Sequence, residues 1–519
     1  MHHTISPEIR RTIRNTLGDA LQRAVRRTPN KEALLFADRR WTYQALATAA
    51  NRVANGLLAQ GLQPGDRVAA YGKNSDAYVL LWLACNRAGL IHVPINYALT
   101  EGELKYILDQ SGAKAVIHDV AIAEHVEHLR PQLQCALYGT FHGGSGLDVL
   151  ALAEGGADAG EPQVDIDENA VAQILYTSGT TANPKGAMMT HRALLAEYAS
   201  AIVAVEIQSS DRSLASLPLY HSAQMHVFLM PQLLMGATTL IVPAPLPDVC
   251  FDVIARERIT SFFAPPTVWI SLLRHPSFDG CDLSSLCKGY YGASIMPVPV
   301  LEELRRRLPA LRVFNCYGQS EIAPLATVLT PEDHLIVPAS AGRPILNVET
   351  RVVNDQLEDM PVGEMGEIVH RTPQAMIGYW DKSEQTDEAF QGGWFHSGDV
   401  GYFDENGFLF ICDRIKDVIN TGGVVVSSRE VEECLYTHPA VAEVAVIALP
   451  DEKWVEAVTA VVSLKAGASV SEDELVQFAK GKIAPFKVPK YIFFKQDLPR
   501  NTAGKLLKRE LRREYSAAA

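Results

Sequence analysis

Between Tyr176 and Gly186 the chain runs Tyr-Thr-Ser-Gly-Thr-Thr-Ala-Asn-Pro-Lys-Gly. Hydroxyls, glycines and a lysine in one loop are what a polyphosphate needs. Exposed backbone N–H groups and the hydroxyls of Thr177, Ser178, Thr180 and Thr181 donate to phosphate oxygens, and Lys185 supplies charge. The loop follows the apolar run Val171 to Leu175 and precedes a segment with Leu194, Leu195 and Tyr198 that Thr190 can cap. This order predicts a phosphate loop between a strand and a helix. It is not a Walker A loop, because GxxxxGK[ST] does not occur. At Gly504-Lys505, Pro499 stands where the first glycine belongs and Leu506 where Ser or Thr belongs.

Further runs combine polar residues with apolar segments. Asn315-Cys-Tyr-Gly-Gln-Ser-Glu321 follows the strand-like Leu311 to Phe314. Trp394-Phe-His-Ser-Gly-Asp399, Asp413-Arg-Ile-Lys-Asp417 and Leu498-Pro-Arg-Asn-Thr-Ala-Gly-Lys505 lie downstream. Each has a plain reading when taken alone. Glu321 reads as a surface carboxylate, Lys416 as a solvated lysine, Tyr291-Gly-Ala-Ser294 as an ordinary turn and Thr421-Gly-Gly423 as a hairpin turn. His221, in Pro218-Leu-Tyr-His221, reads equally as a buried histidine satisfied by a backbone group. Gln224, Met225 and Val227 have core spacing as well as pocket-lining character. Lys508, Arg509, Arg512 and Arg513 read as a solvated helix face.

Helices and strands must hold these runs. Leu46, Ala50, Val53 and Leu57 recur at helical spacing, with Gly61 as a stop. Val68 to Tyr71 reads as a buried strand. Thr100 and Glu103 form a capping box for a helix ending at Gly112, and Ala113 to Ile117 returns as a strand. Such alternation predicts an α/β architecture with largely parallel strands. Residues 140 to 169 read as a surface excursion. Residues 343 to 415 carry glycines, short β-type runs (Gly366 to His370, Gly407 to Cys412) and turn signals, which predict a small β-rich unit. Beyond about 417 the pattern becomes α+β. Ser427 and Glu430 form a second capping box, Val441 to Leu449 alternates as a strand, and Glu472 to Lys480 reads as a helix. The expected division is residues 1–415 and 416–519.

Composition fits this picture. The 519 residues are 47% hydrophobic and 21% charged, so disorder is excluded as the dominant state. Lysine and arginine number 47 against 60 acidic residues, a formal charge of −13 that repels nucleic acid but not a small anion held by clustered donors. Eight scattered cysteines without a CxxC pair suggest neither a disulfide framework nor a zinc site. The N-terminus lacks the apolar core of a secretory signal. Met225 to Val242 is too interrupted for a membrane span. A cytoplasmic location is the expectation.

Together these runs, in this order along essentially the whole chain, resemble the adenylate-forming superfamily of acyl-CoA synthetases, coumarate-CoA-ligase-like enzymes, firefly luciferase and adenylation domains. The resemblance implies a large N-terminal α/β domain with a β-rich subdomain and a small, mobile C-terminal α+β domain. It implies ATP, Mg²⁺ and coenzyme A as reactants, and a carboxylic acid activated as an acyl adenylate and then passed to a thiol. By resemblance, Thr177, Ser178, Gly179, Thr180, Thr181 and Lys185 hold the phosphates. Asn315, Tyr317, Gly318, Gln319 and Ser320 hold the nucleotide: Tyr317 stacks on adenine, Ser320 donates to the α-phosphate, and Glu321 holds Mg²⁺ with Thr180. Gly292, Ala293 and Ser294 border base and acyl group. Asp399 accepts from the ribose hydroxyls and Arg414 reaches the same ribose or its phosphate. Lys416 is the hinge, Gly422 and Gly423 help form a pantetheine channel, and Lys505 approaches the α-phosphate. His221 lies beside the acid's carboxyl group, with Gln224, Met225 and Gly292 around the acyl pocket. Ser replaces the more usual Thr at 320 and 397, and Ala replaces Gly at 182 and 293.

The apolar lining candidates point to a medium- or long-chain fatty acid. An aromatic acid such as a coumarate or benzoate stays open, as does a free-standing carrier protein in place of CoA; no fused carrier domain is expected. A luciferase-like oxidation has no support. A catalytically silent nucleotide- or acyl-binding homologue is the non-enzyme alternative. A homodimer is a family-level expectation.

Overall fold

The structure, a computed structural model, describes residues 6–144, 146–156, 158–177, 183–294, 296–415, 417–421, 424–451, 454–501 and 506–516. Among these residues the strands form four sheets. Two large sheets make the body of the N-terminal domain. In one, Arg67–Tyr71, Ile91–Ile95 and Ala115–His118 pair in parallel, and the hairpin Val171–Thr177 with Lys185–Thr190 closes the edge. In the other, Arg212–Ala215, Ser261–Phe263, Lys288–Gly292 and Arg312–Gly318 are parallel, and Leu325–Leu329 folds back antiparallel. The expected α/β alternation is therefore present.

The helices behave as their residues dictate. Tyr43–Ala59 buries Leu46, Ala50, Val53 and Leu57 on one face. Glu101–Ser111 starts at the reciprocal Thr100–Glu103 box and stops at Gly112 in the left-handed region. His191–Ala204 is capped by Thr190, which accepts from Ala193 N at 3.1 Å, and buries Leu194, Tyr198 and Ala201 at helical spacing. Residues Ala223–Leu229 form a π-helix that runs into the α-helix Met230–Met235. His226, Phe228 and Leu233 on these two segments are buried, and the stretch Met225 to Val242 is core rather than a membrane span. Among the described residues no helix is long and apolar enough to cross a membrane.

Three local expectations are corrected. The phosphate loop does not join a strand to a helix. It joins two antiparallel strands with Thr177 opposite Lys185, and the helix comes only after the second strand. The polar 176–186 run hides the short strand behind the lysine. Residues 140 to 169 are not wholly a surface excursion, because Val149 and Ala153 on the helix Val149–Glu154 are buried in the main core. Ser427 does cap Ser428–Tyr436 by accepting from Glu430 N, but Glu430 turns away to pair with Lys487 at 2.6 Å, so the box is one-sided.

The β-rich unit is a four-stranded antiparallel sheet of Glu349–Val353, Gly366–Arg371, Phe395–Phe403 and Leu409–Arg414. The small C-terminal domain centres on the long hairpin Val441–Asp451 and Val455–Leu464. Both faces of the first strand are covered: Val446 packs in one cluster with Val431 and Leu435, and Ala445, Ile447 and Leu449 pack in another with Leu498 and Leu511. The eight cysteines are unpaired.

Candidate active site

The strand Arg312–Gly318 delivers the site's central run. It lies between Lys288–Gly292 and Leu325–Leu329, and the antiparallel return into the latter is tight, which Gly318 lets the chain make. A Cβ there would sit 1.8 Å from Pro324 O. Beyond it, Ser320 and Glu321 lie on a short 3₁₀ turn. Asn315, upstream, spends its amide on Ser340 O at 3.0 Å.

One end of the run meets the β-rich unit. Asp399 and Arg414 are direct partners across the ladder between Phe395–Phe403 and Leu409–Arg414. That register sets Arg414 Nε 3.1 Å from Asp399 Oδ1. Tyr317 Oη donates to Asp399 Oδ2 at 2.8 Å, and Gln319 Nε2 donates to the same oxygen at 2.9 Å. Burial, and then the Asp399 charge, push the Tyr317 phenol well above its ordinary range, so it stays a donor. Ser397 Oγ accepts from Asp399 N at 3.0 Å, which steadies the carboxylate's backbone. Gln319 Oε1 is buried without a hydrogen-bond partner. An orphaned acceptor beside a buried carboxylate ringed by donors suits a ligand carrying several hydroxyl and N–H groups.

The other end meets the phosphate loop. Thr177 Oγ1 donates to Glu321 Oε1 at 3.0 Å, and Tyr379 Oη donates to the same oxygen at 3.1 Å. Lys185 Nζ lies 5.0 Å from the centre of the Tyr379 ring. Burial, and then Glu321, raise the Tyr379 phenol. Ser320 Oγ is 2.8 Å from Ser222 Oγ, which brings the 218–222 turn to the same place. Asn74 fixes that turn: its side chain donates to Leu217 O at 2.8 Å and accepts from Leu219 N at 2.8 Å. His221 heads the turn half-buried, its N–H 3.1 Å from Pro218 O.

Nearby, Gly292 passes so close to the neighbouring strand that a Cβ would lie 2.3 Å from Cys316 O. Ala293 adopts φ 63°, the left-handed region where glycine is more comfortable, and half-exposed Ser294 follows on the same turn. Gln224 is buried, and its Oε1 accepts from Leu217 N at 3.3 Å. Met225 and Val227 sit in the main apolar core.

The structure thus brings together Thr177, Lys185, His221, Tyr317, Gln319, Ser320, Glu321, Asp399 and Arg414. Ser178, Gly179, Thr180, Thr181, Lys416, Gly422, Gly423 and Lys505 lie outside the described residues. Two basic residues are not the solvated ones expected. Lys508 Nζ pairs with Glu432 at 2.8 Å and donates to Ser428 Oγ at 2.6 Å, and Arg512 pairs with Asp417. Ser428 N in turn donates to Asp413 Oδ2 at 2.7 Å, so this knot ties the small domain to the strand Leu409–Arg414.

The sequence reading missed Tyr379 and Ser222. The signal for Tyr379 was Met376-Ile-Gly-Tyr-Trp380, whose Gly378 takes φ 136° and whose Met376 N donates to Glu321 O at 2.8 Å. Among the described residues no group of three or more His, Cys, Asp or Glu could hold a metal ion. A lone carboxylate fits Mg²⁺ all the same, because that ion keeps its waters and binds through one or two carboxylates together with substrate phosphates.

Comparison with known proteins decides the family. A model described as AMP-binding enzyme matches residues 21–380, and one described as AMP-binding enzyme C-terminal domain matches residues 430–505. The chain belongs to the AMP-binding enzyme family. Among AMP-binding enzymes it is 36% identical to a feruloyl-CoA synthase of Amycolatopsis over 96% of this chain and 99% of that one. It is 34% identical to a long-chain-fatty-acid–CoA ligase of Mycobacterium tuberculosis over 92% and 94%. The crystal structure of ATP-bound MatB from Rhodopseudomonas palustris superposes with a TM-score of 0.90 at 30% identity, over 97% of this chain and all of that one.

Proposed function

We propose that this AMP-binding enzyme is an acyl-CoA synthetase acting in two steps. In the first, a carboxylate oxygen bonds to the α-phosphorus of ATP as the bond to the bridging oxygen breaks and pyrophosphate leaves. In the second, the sulfur of CoA bonds to the acyl carbon and AMP leaves. The observation that carries this reading is the five-residue run Tyr317 to Glu321, with a donor-ringed carboxylate (Asp399) at one end and a second carboxylate (Glu321) beside the phosphate loop at the other. A nucleotide has matching chemistry: hydroxyls on its ribose and charge on its phosphates.

In this reading Asp399 accepts from the ribose hydroxyls and Arg414 orients that carboxylate from 3.1 Å. Tyr317, with Asn315, Gly318 and Gln319, borders the adenine. Lys185, Thr177 and the 178–181 loop hold the phosphates, and Ser320 donates at the reacting phosphate. Glu321 and Thr180 would hold Mg²⁺, which supplies neutralisation of phosphate charge when bound. His221 orients the acid, whose body extends past Gly292, Ala293 and Ser294. We place the hinge at Lys416, dividing residues 1–415 from 416–519. Lys505 enters for the first step and Gly422-Gly423 for the second, so that closure keeps water from the mixed anhydride.

For the acid, the apolar lining expected from Met225 and its neighbours supports a medium- or long-chain fatty acid. An aromatic acid is the second reading, favoured by the feruloyl-CoA synthase relative. The test is an acid panel with ATP, Mg²⁺ and CoA, including dodecanoate, palmitate, ferulate and benzoate, read as AMP and acyl-CoA. AMP without acyl-CoA points to a carrier-protein acceptor, and no AMP from any acid overturns the proposal. Lys505→Ala should slow pyrophosphate exchange strongly and spare thioester formation from supplied acyl adenylate. Equal loss in both steps refutes the rotation.

A further inference from the structure

Beneath the Ser320–Glu321 turn lies a buried polar cluster that neither step uses. Glu197, on His191–Ala204, and Gln374 are both fully buried. Glu197 Oε2 accepts from Gln374 Nε2 at 2.6 Å, and Glu197 Oε1 accepts from Leu325 N at 3.3 Å. The same Gln374 Nε2 reaches Leu325 O at 3.0 Å and Ile322 O at 3.2 Å, sharing two hydrogens among three acceptors. Gln374 Oε1 accepts from Ser200 Oγ at 2.7 Å. The 322–325 half of the turn, directly behind Ser320 and Glu321, is therefore bound to one helix through one carboxyl and one amide.

The turn needs holding. Ala323 sits at φ 74°, where a side chain is uncomfortable, and Gly318 just before it is pressed against Pro324 O. An apolar residue at 197 would fill the helix face without the desolvation that a carboxyl costs. Burial drives the Glu197 carboxyl well above its ordinary range, against the pull of the Leu325 N–H. A satisfied polar cluster in a core fixes one arrangement of the parts it joins. Here the parts are the helix after the phosphate loop, the turn bearing Ser320 and Glu321, and the 374–379 segment whose Tyr379 touches Glu321.

We propose that Glu197, acting through Gln374, is a positioning residue that fixes the aim of Ser320 and Glu321 for adenylation. This rests on the adenylation reading of those two residues. A carboxylate accepts at both oxygens, and a protonated carboxyl keeps acceptor capacity at both beside its one O–H donor. A glutamine accepts at one and presents an amide to a donor at the other, so Glu197→Gln breaks the brace while keeping the volume.

The test uses the full chain, with the acid of the panel that drives the most exchange. In Glu197→Gln, pyrophosphate–ATP exchange should fall tenfold or more in kcat, and its Mg²⁺ midpoint should rise. Thioester formation from supplied acyl adenylate should stay within twofold. Independently of activity, amide hydrogen exchange at 320–326 should quicken, and ATP binding with Mg²⁺ should weaken by calorimetry. Exchange kcat within twofold, equal loss in both half-reactions, or unchanged protection at 320–326 overturns the proposal. If Glu197→Gln does not fold, Ser200→Ala supplies the reading: it frees only the far side of Gln374 and should shift the same quantities the same way by two- to fivefold. No shift in it then refutes the brace. Glu321→Ala separates the two claims. If it keeps full exchange, the adenylation reading falls, whereas if it loses exchange and the 197 and 200 variants do not, only the brace falls.

Discussion

Asp399→Asn is the substitution with the most calculable effect. The carboxylate is buried and holds three protein donors, at 2.8 Å from Tyr317, 2.9 Å from Gln319 and 3.1 Å from Arg414. An asparagine keeps the shape but accepts on one atom only, and its amide nitrogen must then face donors on the other side. A hydrogen bond to a charged acceptor is worth about 1.5–3 kcal/mol, against about 0.5–1.5 for a neutral one. Two ribose bonds converted from the first kind to the second lose about 2–3 kcal/mol together. At about 1.4 kcal/mol per factor of ten, kcat/KM for ATP should fall about 30- to 150-fold. The assay is pyrophosphate exchange at varied ATP, with 2′-deoxy-ATP in parallel. The parent should prefer ATP, and the variant should lose most of that preference. A kcat/KM for ATP within threefold of the parent, in a variant with unchanged Tm, refutes the ribose assignment.

Other outcomes follow from distances already given. Tyr379→Phe removes one hydrogen bond to Glu321 and keeps the ring beside Lys185, so exchange should lose about 1 kcal/mol, roughly fivefold, in kcat/KM; an unchanged rate and Mg²⁺ titration would speak against a shared role. Lys288→Met strands the buried Asp211, which Lys288 Nζ holds at 2.9 Å, and should cost about 3–5 kcal/mol by urea denaturation. A loss below about 1 kcal/mol contradicts the pairing argument. Burial holds His92, His226 and His370 neutral down to about 3, and His191 and His334 down to about 4. These values lie below that of an unfolded histidine, so the unfolded chain takes up protons that the native one refuses. Their stabilisation is intact above about pH 6.5 and drains as pH falls, by about 1.4 kcal/mol per pH unit for each group. Tm should drop steadily from pH 6.5 to 5, and a flat profile over that range is the contrary result.

Much of the architecture was legible because its signals are local. The Thr100–Glu103 box, the Gly112 stop and the helix over Glu472–Lys480 each depend on a handful of neighbouring residues. The site runs were legible for the same reason, since each is contiguous in sequence. What connects them was not. That Asp399 faces Arg414 is a matter of strand register, and that Tyr379 and Thr177 meet on one oxygen of Glu321 is a matter of tertiary approach. The strand after the phosphate loop was masked by its polar neighbours. Lys508 looked like one more surface cation because its partner, Glu432, lies far back in sequence. Glu197 sits on the apolar stripe of a helix, where pattern alone gives no reason for a carboxyl.

The π-helix over Ala223–Leu229 carries a consequence for how such a pocket changes over time. An i→i+5 segment holds one residue more than an α-turn would, and losing that residue rewinds the chain by about 100°. The buried face from Phe228 onward is anchored by its stacking on Phe263, so the rotation would fall on the other end, against the bonds by which Asn74 holds the turn before His221. The bearing of that histidine is therefore set by a count of residues. A single-codon deletion would re-aim it while every side chain kept its chemistry.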